Sequence, residues 1–247
     1  MLQILKTKDV FYKYDSGSFK LNNINLTINK GEFVSILGSR NSGKSTLAKL
    51  LAGIIFPLKG NIYIDDLDNS IEENLWEIRI KTGIVFQNPE NQIIGSTVFD
   101  DVSFMLQNIG LSETTINEYT MDSLKSVGLF HLRNNNTSTL SGGQKQKLVL
   151  ASVISSKPKV LILDEVTSML DHIDKKNLFK LLINLNKNTG LTIINIAHDL
   201  DYISHSNRII VLDKGSILYD LPYCEVFQNK NNLIKLGIGI PMIYYLK

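Results

Sequence analysis

Little in this sequence could staple a fold covalently or carry it into a bilayer. There is one cysteine, Cys224, so no internal disulfide can form and no oxidising compartment is required. No window approaches about 18 uninterrupted apolar residues, and the first nine residues lack an apolar stretch of signal-peptide length. The expectation is a cytosolic protein, or one held on the cytosolic face of a membrane partner. Internal repeats and low-complexity stretches are missing, and Asn134-Asn-Asn136 reads as a loop. Arginine is scarce, and the net charge of +2 argues neither for nor against nucleic acid. What is present is ordinary globular material: 247 residues, 43% hydrophobic and 20% charged, which excludes a disordered chain. A chain of this length buries roughly 70–75% of its unfolded surface, so neither metal nor disulfide is needed to supplement the core.

The charge is unevenly placed. Residues 1–60 carry +6, 61–123 carry −10 from 12 acidic and 2 basic side chains, 124–163 carry +6, and 164–247 are balanced. Hydrophobic periodicity predicts strands at 24–28, 33–37, 61–64, 83–86, 159–163, 191–196, 208–212 and 216–219. A helix is predicted from Lys44 to before Pro57, and a second from a Ser70/Glu73 capping box to about 80. Further helices are expected between about 98 and 155, near 174–187 and at 199–205. Strand–helix alternation of this kind predicts an α/β fold around a mainly parallel sheet, with a β-rich start and a helical insertion.

Three motifs carry chemistry. Gly38-Ser39-Arg40-Asn41-Ser42-Gly43-Lys44-Ser45-Thr46 fits G-x-x-x-x-G-K-[ST] between a predicted strand and a predicted helix, the context required of a phosphate-binding loop. Loop N–H groups and the positive end of the helix converge on phosphates, Lys44 adds a charge at the β/γ groups, and the Ser45 hydroxyl can ligate Mg²⁺. Val160-Leu-Ile-Leu-Asp164-Glu165 delivers two carboxylates to the tip of a buried strand, 120 residues after Lys44. Asp164 would hold Mg²⁺ through water, and Glu165 would act as base toward an attacking water. In Leu140-Ser141-Gly142-Gly143-Gln144-Lys145-Gln146, a serine and two glycines open a helix and expose backbone N–H groups, a second anion site.

Together these motifs resemble the ATP-binding cassette (ABC) ATPase family over essentially the whole chain. The resemblance implies a P-loop NTPase (RecA-like) core with an N-terminal antiparallel β subdomain and an α-helical subdomain, in one domain of residues 1–247. The core would span about 1–86 and 157–220, the helical subdomain about 88–156, and a helical tail about 221–247. It also implies binding and hydrolysis of ATP with Mg²⁺. Ser141, Gly142, Gly143 and Gln144 match the family signature, which contacts the γ-phosphate held by the opposite subunit. Gln87 matches the Q-loop glutamine that senses metal and attacking water, Ser168-Met-Leu-Asp171 the D-loop, and His198 the switch histidine. Tyr14 is placed to stack on adenine, with Tyr12 the competing candidate. Two positions depart from the family pattern. Asn41 stands where many members have glycine, but asparagine tolerates positive φ. Lys147 replaces an arginine common after the signature, with the expected loss of a bidentate or stacked contact.

A longer match narrows the family. Val85-Phe-Gln-Asn-Pro-Glu-Asn-Gln-Ile-Ile-Gly-Ser-Thr-Val-Phe-Asp-Asp-Val-Ser-Phe104 is similar to the Q-loop region of energy-coupling factor (ECF) transporter A subunits and their cobalt and nickel relatives. That resemblance implies a second related ATPase subunit, as heterodimer or homodimer, a transmembrane T subunit, and an S subunit binding a vitamin or transition-metal ion. It places the chain on the cytoplasmic face of the membrane, with no nucleic acid. Another ABC importer or exporter is the alternative. A DNA-acting ABC protein would need long insertions before Asp164, and a translation-associated one a second cassette. The acidic block encloses the Q-loop, so Glu90, Asp100 and Asp101 are expected to meet a basic element of the membrane subunit.

Overall fold

The computed structural model describes residues 2–15, 19–168, 170–197, 200 and 203–241. In chain order the regular elements begin with β1 (Gln3–Lys13), β2 (Lys20–Asn29), β3 (Phe33–Gly38), α1 (Lys44–Leu51), β4 (Lys59–Ile64) and β5 (Leu67–Asp68). The middle of the chain forms α2 (Leu75–Lys81), β6 (Thr82–Val85), α3 (Val98–Asn108), α4 (Glu113–Ser126), α5 (Gly142–Ser155) and β7 (Val160–Asp164). It closes with α6 (His172–Thr189), β8 (Thr192–Ile196), β9 (Arg208–Asp213), β10 (Ser216–Pro222), α7 (Tyr223–Val226) and α8 (Lys230–Lys235).

Two sheets result. One is antiparallel in the order β2-β1-β4-β5; the other runs β10-β9-β3-β8-β7-β6. In the second, β3, β6, β7, β8 and β9 pair in parallel and only β10 runs antiparallel, on β9. Sequence pattern explains the difference. β2 alternates apolar and polar residues and buries one face, whereas β3, β7 and β8 are apolar-rich runs buried at every residue. One apolar cluster joins the two sheets through Ile36, Leu47, Ile62 and Ile194. A second unites the other sheet face with the helices through Leu148, Leu163, Phe179 and Leu182. A third packs Leu37 and Ile203 against Phe227 and Leu233 near the C-terminus. The order matters for the site: β8 lies between β3 and β7, so the loop leaving β3 and the tip of β7 share one sheet edge.

Several predicted elements differ in detail. Ser70 and Glu73 form no capping box: residues 72–74 make a 3-10 turn and α2 starts at Leu75, without a side-chain cap. The reason is local, since the Ser70 N–H bonds Asp68 Oδ1 at 2.9 Å and Asn74 Nδ2 bonds the Asp68 carbonyl at 3.0 Å. A capping box does open α3, where Thr97 and Asp100 satisfy each other's N–H groups. Of the helix expected at 199–205, residues 203–205 form a 3-10 turn, and Asp199, Asp201 and Tyr202 lie outside the described residues. β10 runs to Pro222, so the helical tail begins at Tyr223 rather than 221. Among the described residues, no helix is long and apolar enough to cross a membrane.

Candidate active site

The phosphate loop is shaped by what its glycines cannot replace. A Cβ on Gly38 would lie 2.3 Å from the Leu212 carbonyl oxygen of the neighbouring strand. Gly43 has φ +105° and a Cβ there would meet the Phe19 ring at 2.4 Å and Leu21 at 2.7 Å. Asn41 adopts φ +62°, the left-handed conformation anticipated for it, so the loop keeps its turn without the glycine. Gly38 and Ser42 are buried under the loop, while Arg40 and Asn41 are exposed on its rim beside half-buried Ser39. Ser42 Oγ, fully buried, has no hydrogen-bond partner among the described residues.

Lys44 opens α1 with its ammonium folded back on the loop, donating to the carbonyls of Gly38 and Ser39 at 3.0 Å each. Burial pushes its pKa down, and the nearby Glu165 and Asp164 carboxylates pull the other way. Ser45 Oγ donates to Asp164 Oδ1 at 3.0 Å, joining α1 to the tip of β7. Asp164 is 5% exposed, and burial raises its pKa although Ser45 and two lysines favour the anion. Ser45 and Asp164 thus present hard oxygen donors at a point where negative charge is costly to keep, a setting that suits a divalent cation. Among the described residues, no cluster of three His, Cys, Asp or Glu side chains could hold a metal unaided.

Glu165 follows in the left-handed region at φ +55°, its N–H bonded to the Ile196 carbonyl at 3.1 Å. A glutamate there carries backbone strain, which turns the chain sharply off β7 and sets the carboxylate at a cleft rather than in the sheet. That cleft, about 790 Å³, is lined by Lys44, Ser45, Thr46, Gln87 and Glu165, with Tyr14 at its margin. Tyr14 OH lies 3.4 Å from Thr46 Oγ1, and its ring meets Tyr12 edge-on at 5.0 Å. Tyr12 packs on the core instead and does not line the cleft. Phe19, Lys20 and Lys214 also line it and were missed by the sequence reading. None belongs to a motif; Lys214 arrives because the Gly215 N–H bonds the Ser42 carbonyl at 3.0 Å. Lys20, Arg40, Lys44 and Lys214 against Glu165 give the cleft a positive bias suited to a polyanion.

The signature residues and Asp171 do not line this cleft. Ser141, Gly142, Gly143 and Gln144 start α5, where Ser141 and Gln144 form a capping box. The box occupies the N–H groups of Ser141 and Gln144, so only those of Gly142 and Gly143 are left to meet an anion, fewer than the motif alone suggested. Asp171 caps α6, accepting the Asp174 N–H at 2.7 Å. His198, and Met169 within the D-loop stretch, lie outside the described residues. Lys147 meets Asp174 Oδ1 at 2.7 Å as a point charge, a single contact in place of a bidentate or stacked one.

Within the acidic trio around the Q-loop, Asp101 needs correction. Asp101 is 6% exposed and accepts the N–H groups of Ile94 and Gly95 at 2.8 and 3.0 Å and the Ser152 hydroxyl at 2.7 Å. Asp100 belongs to the α3 capping box, and Glu90 pairs with Lys145 at 2.6 Å. Each carboxylate already has a partner within the chain, because the turn from 94 to 97 and the start of α5 need acceptors there.

Comparison with known proteins agrees with this geometry. Residues 21–168 match the ABC transporter family model. The chain is 41% identical over 244 residues to the energy-coupling factor transporter ATP-binding protein EcfA1 of Clostridioides difficile, covering 98% of this chain and 88% of that protein. It is 40% identical over 246 residues to EcfA1 of Latilactobacillus sakei, covering 99% and 88%. Its fold matches cbiO1 of Clostridium perfringens, part of the ABC transporter complex cbiONQ, with TM-score 0.85, 36% identity and coverage of 100% and 99%. A dimeric ATP-binding cassette, MJ0796, bound to ADP and Pi matches with TM-score 0.80 and 30% identity, covering 89% of this chain and 98% of that one. A phosphate loop under a positively biased cleft, a carboxylate pair at the tip of β7 and these relatives lead to one assignment: the chain belongs to the ABC transporter ATPases, in their energy-coupling factor ATP-binding branch.

Proposed function

We propose that this ATPase powers an ECF-type importer at the cytoplasmic face of the cell membrane, for a vitamin or a transition-metal ion. The observation that carries the catalytic half is the 3.0 Å contact of Ser45 with Asp164, beside a buried Lys44 and a cleft that Glu165 and Gln87 share. Lys44 and the N–H groups of residues 40–45 bind the β- and γ-phosphates, and Tyr14 stacks on the adenine. Ser45, Asp164 and Gln87 would hold Mg²⁺, which when bound neutralises charge on the phosphate oxygens. Glu165 accepts the proton of the attacking water, and His198 orients water and γ-phosphate.

The geometry also supports a two-subunit reaction. The Gly142 and Gly143 N–H groups lie outside the nucleotide cleft of their own chain, and a Cβ on Gly142 would touch nothing within 4 Å. An open anion site of this form is completed when a second, related ATPase subunit brings its nucleotide to it, with Asp171 at the same face. A T subunit would dock beside the Q-loop, where a groove of about 250 Å³ between α2, α3 and α5 is edged by exposed Ile94 and Phe104. An S subunit would supply the cargo.

Turnover measured on the purified chain, alone and with a partner ATPase subunit and the membrane components, tests this reading. The chain alone should be slow and gain activity with partner or with concentration. Full, concentration-independent turnover by a monodisperse monomer would exclude the two-subunit reaction.

A further inference from the structure

The three residues that follow the signature in sequence each reach a different neighbour. On a helix they are set about 100° apart, so residues 145–147 radiate over roughly 200° of the α5 surface. Lys145 Nζ lies 2.6 Å from Glu90 Oε1, on the 3-10 turn 89–91 just past Gln87. Gln146, 1% exposed, donates to the carbonyl of Phe86 at 3.4 Å, directly before Gln87. Its Oε1 has no partner among the described residues. Lys147 meets Asp174 Oδ1 at 2.7 Å in the first turn of α6. The same aspartate gives its N–H to Asp171, and its Oδ2 stands 2.8 Å from where a Cβ on Gly143 would be. A Cβ at Gly143 would crowd the carboxylate that holds Lys147.

Stability does not account for these lysines. Partly exposed ion pairs contribute little to it. Two cations in the first two turns of a helix also oppose its macrodipole. What the pairs do is fix direction: they tie the start of α5 to the Q-loop turn on one side and to the start of α6 on the other. The hydrogen bond from Lys145 lowers the pKa of the Glu90 carboxyl.

We propose that Lys145 and Lys147 are positioning residues of the ATPase reaction, a two-sided brace that aims the Gly142 and Gly143 N–H groups at the nucleotide of the opposite subunit. This rests on the two-subunit reading above and adds residues whose side chains touch no nucleotide. The brace joins the Q-loop turn, the signature and the start of α6 through side chains of one chain.

The test uses the assembled transporter. Lys145→Met and Lys147→Met should leave ATP affinity of the chain and its melting temperature near wild type while kcat falls about tenfold, as small misplacements of reacting groups do. Lys147→Arg should restore most of kcat, and adding Asp174→Asn to Lys147→Met should produce little further loss. Gly142→Asp serves as control, because it adds an anion in open space at a helix start and repels phosphate without disturbing the fold. If Gly142→Asp abolishes turnover while both lysine variants keep wild-type kcat and KM, the brace is wrong and the two-subunit reading stands. If Gly142→Asp is also silent, both fall. A loss in the lysine variants that follows melting temperature and is not rescued by arginine would make the pairs merely structural and overturn the proposal.

Discussion

Two glycine-rich helix starts in this molecule look alike in sequence and differ in construction. At the start of α1, Gly43 is pressed by Phe19 and Leu21, Lys44 is 5% exposed, and Ser45 is tied to another strand. At the start of α5, Gly142 faces open space and the cap is made within the helix itself. The first is the candidate phosphate site of the proposed reaction, its parts already in contact within its own chain. The second is aimed by ion pairs at its base and open at its tip. An anion site that must be met by another molecule cannot be packed over, whereas one that must hold a triphosphate gains from being built in advance.

The largest effect should come from the first of these sites. Glu165→Gln is expected to lower turnover of the assembled transporter about 10²–10⁴-fold, the general-base range, while equilibrium ATP binding persists. Lys44→Ala should instead weaken nucleotide binding itself, measured by titration. Near-normal turnover in Glu165→Gln would break the comparison at its root, since the chemistry would then not sit at the tip of β7.

A pair of matched substitutions sharpens the contrast. Gly43→Ala should destabilise the chain by about 1–3 kcal/mol through left-handed strain and overpacking, and reduce nucleotide affinity. Gly142→Ala should stay within about 0.5 kcal/mol of wild type in a melt, having no neighbour to displace. Its loss should appear only in turnover of the assembled complex, about tenfold or more, because the added methyl would hold the opposite nucleotide away from the Gly142 N–H. Equal melting temperatures for the two variants would erase the distinction.

The smallest expected effect concerns pH. Burial raises the Asp164 pKa in the fold, so the unfolded chain gives up this proton first. Stability attributable to Asp164 therefore falls as pH rises above the ordinary aspartate value, and the loss is complete above the raised folded value. Asp164→Asn keeps an acceptor for Ser45 and should melt about 2–4 °C above wild type at neutral pH without nucleotide. That advantage should shrink as pH falls below the ordinary aspartate range. Equal melting curves across pH would show that the carboxylate is not held against its preference.

Much of the candidate nucleotide site was legible because its parts are local. A strand, a glycine-rich turn and a helix are contiguous in residues 33–51, and an apolar run ending in Asp164-Glu165 announces a buried strand with its charge at the tip. Asn41 could be judged from its residue type alone, because positive φ is a property of one residue. The misreadings have a common cause in side chains that found partners the local pattern does not reveal. Asp68 captured the Ser70 N–H and prevented the expected capping box. Asp101 turned inward to the N–H groups at 94 and 95 instead of facing a partner. Lys147 keeps a single-point contact with Asp174, 27 residues away in sequence, and the bidentate or stacked geometry of an arginine is absent as expected.

From sequence alone came the candidate chemistry: which residue types could bind phosphate, which strand carries the carboxylates, and that no disulfide supports the fold. These follow from short-range rules of backbone geometry and charge. Tertiary structure decided the arrangement. The order β3-β8-β7 brings Ser45 within 3.0 Å of Asp164 across 119 residues. Packing places Tyr14 on the cleft and Tyr12 on the core. Ion pairs to Glu90 and Asp174 orient α5. Such contacts depend on which strands lie side by side, and strand order is a property of the whole core that no local stretch encodes.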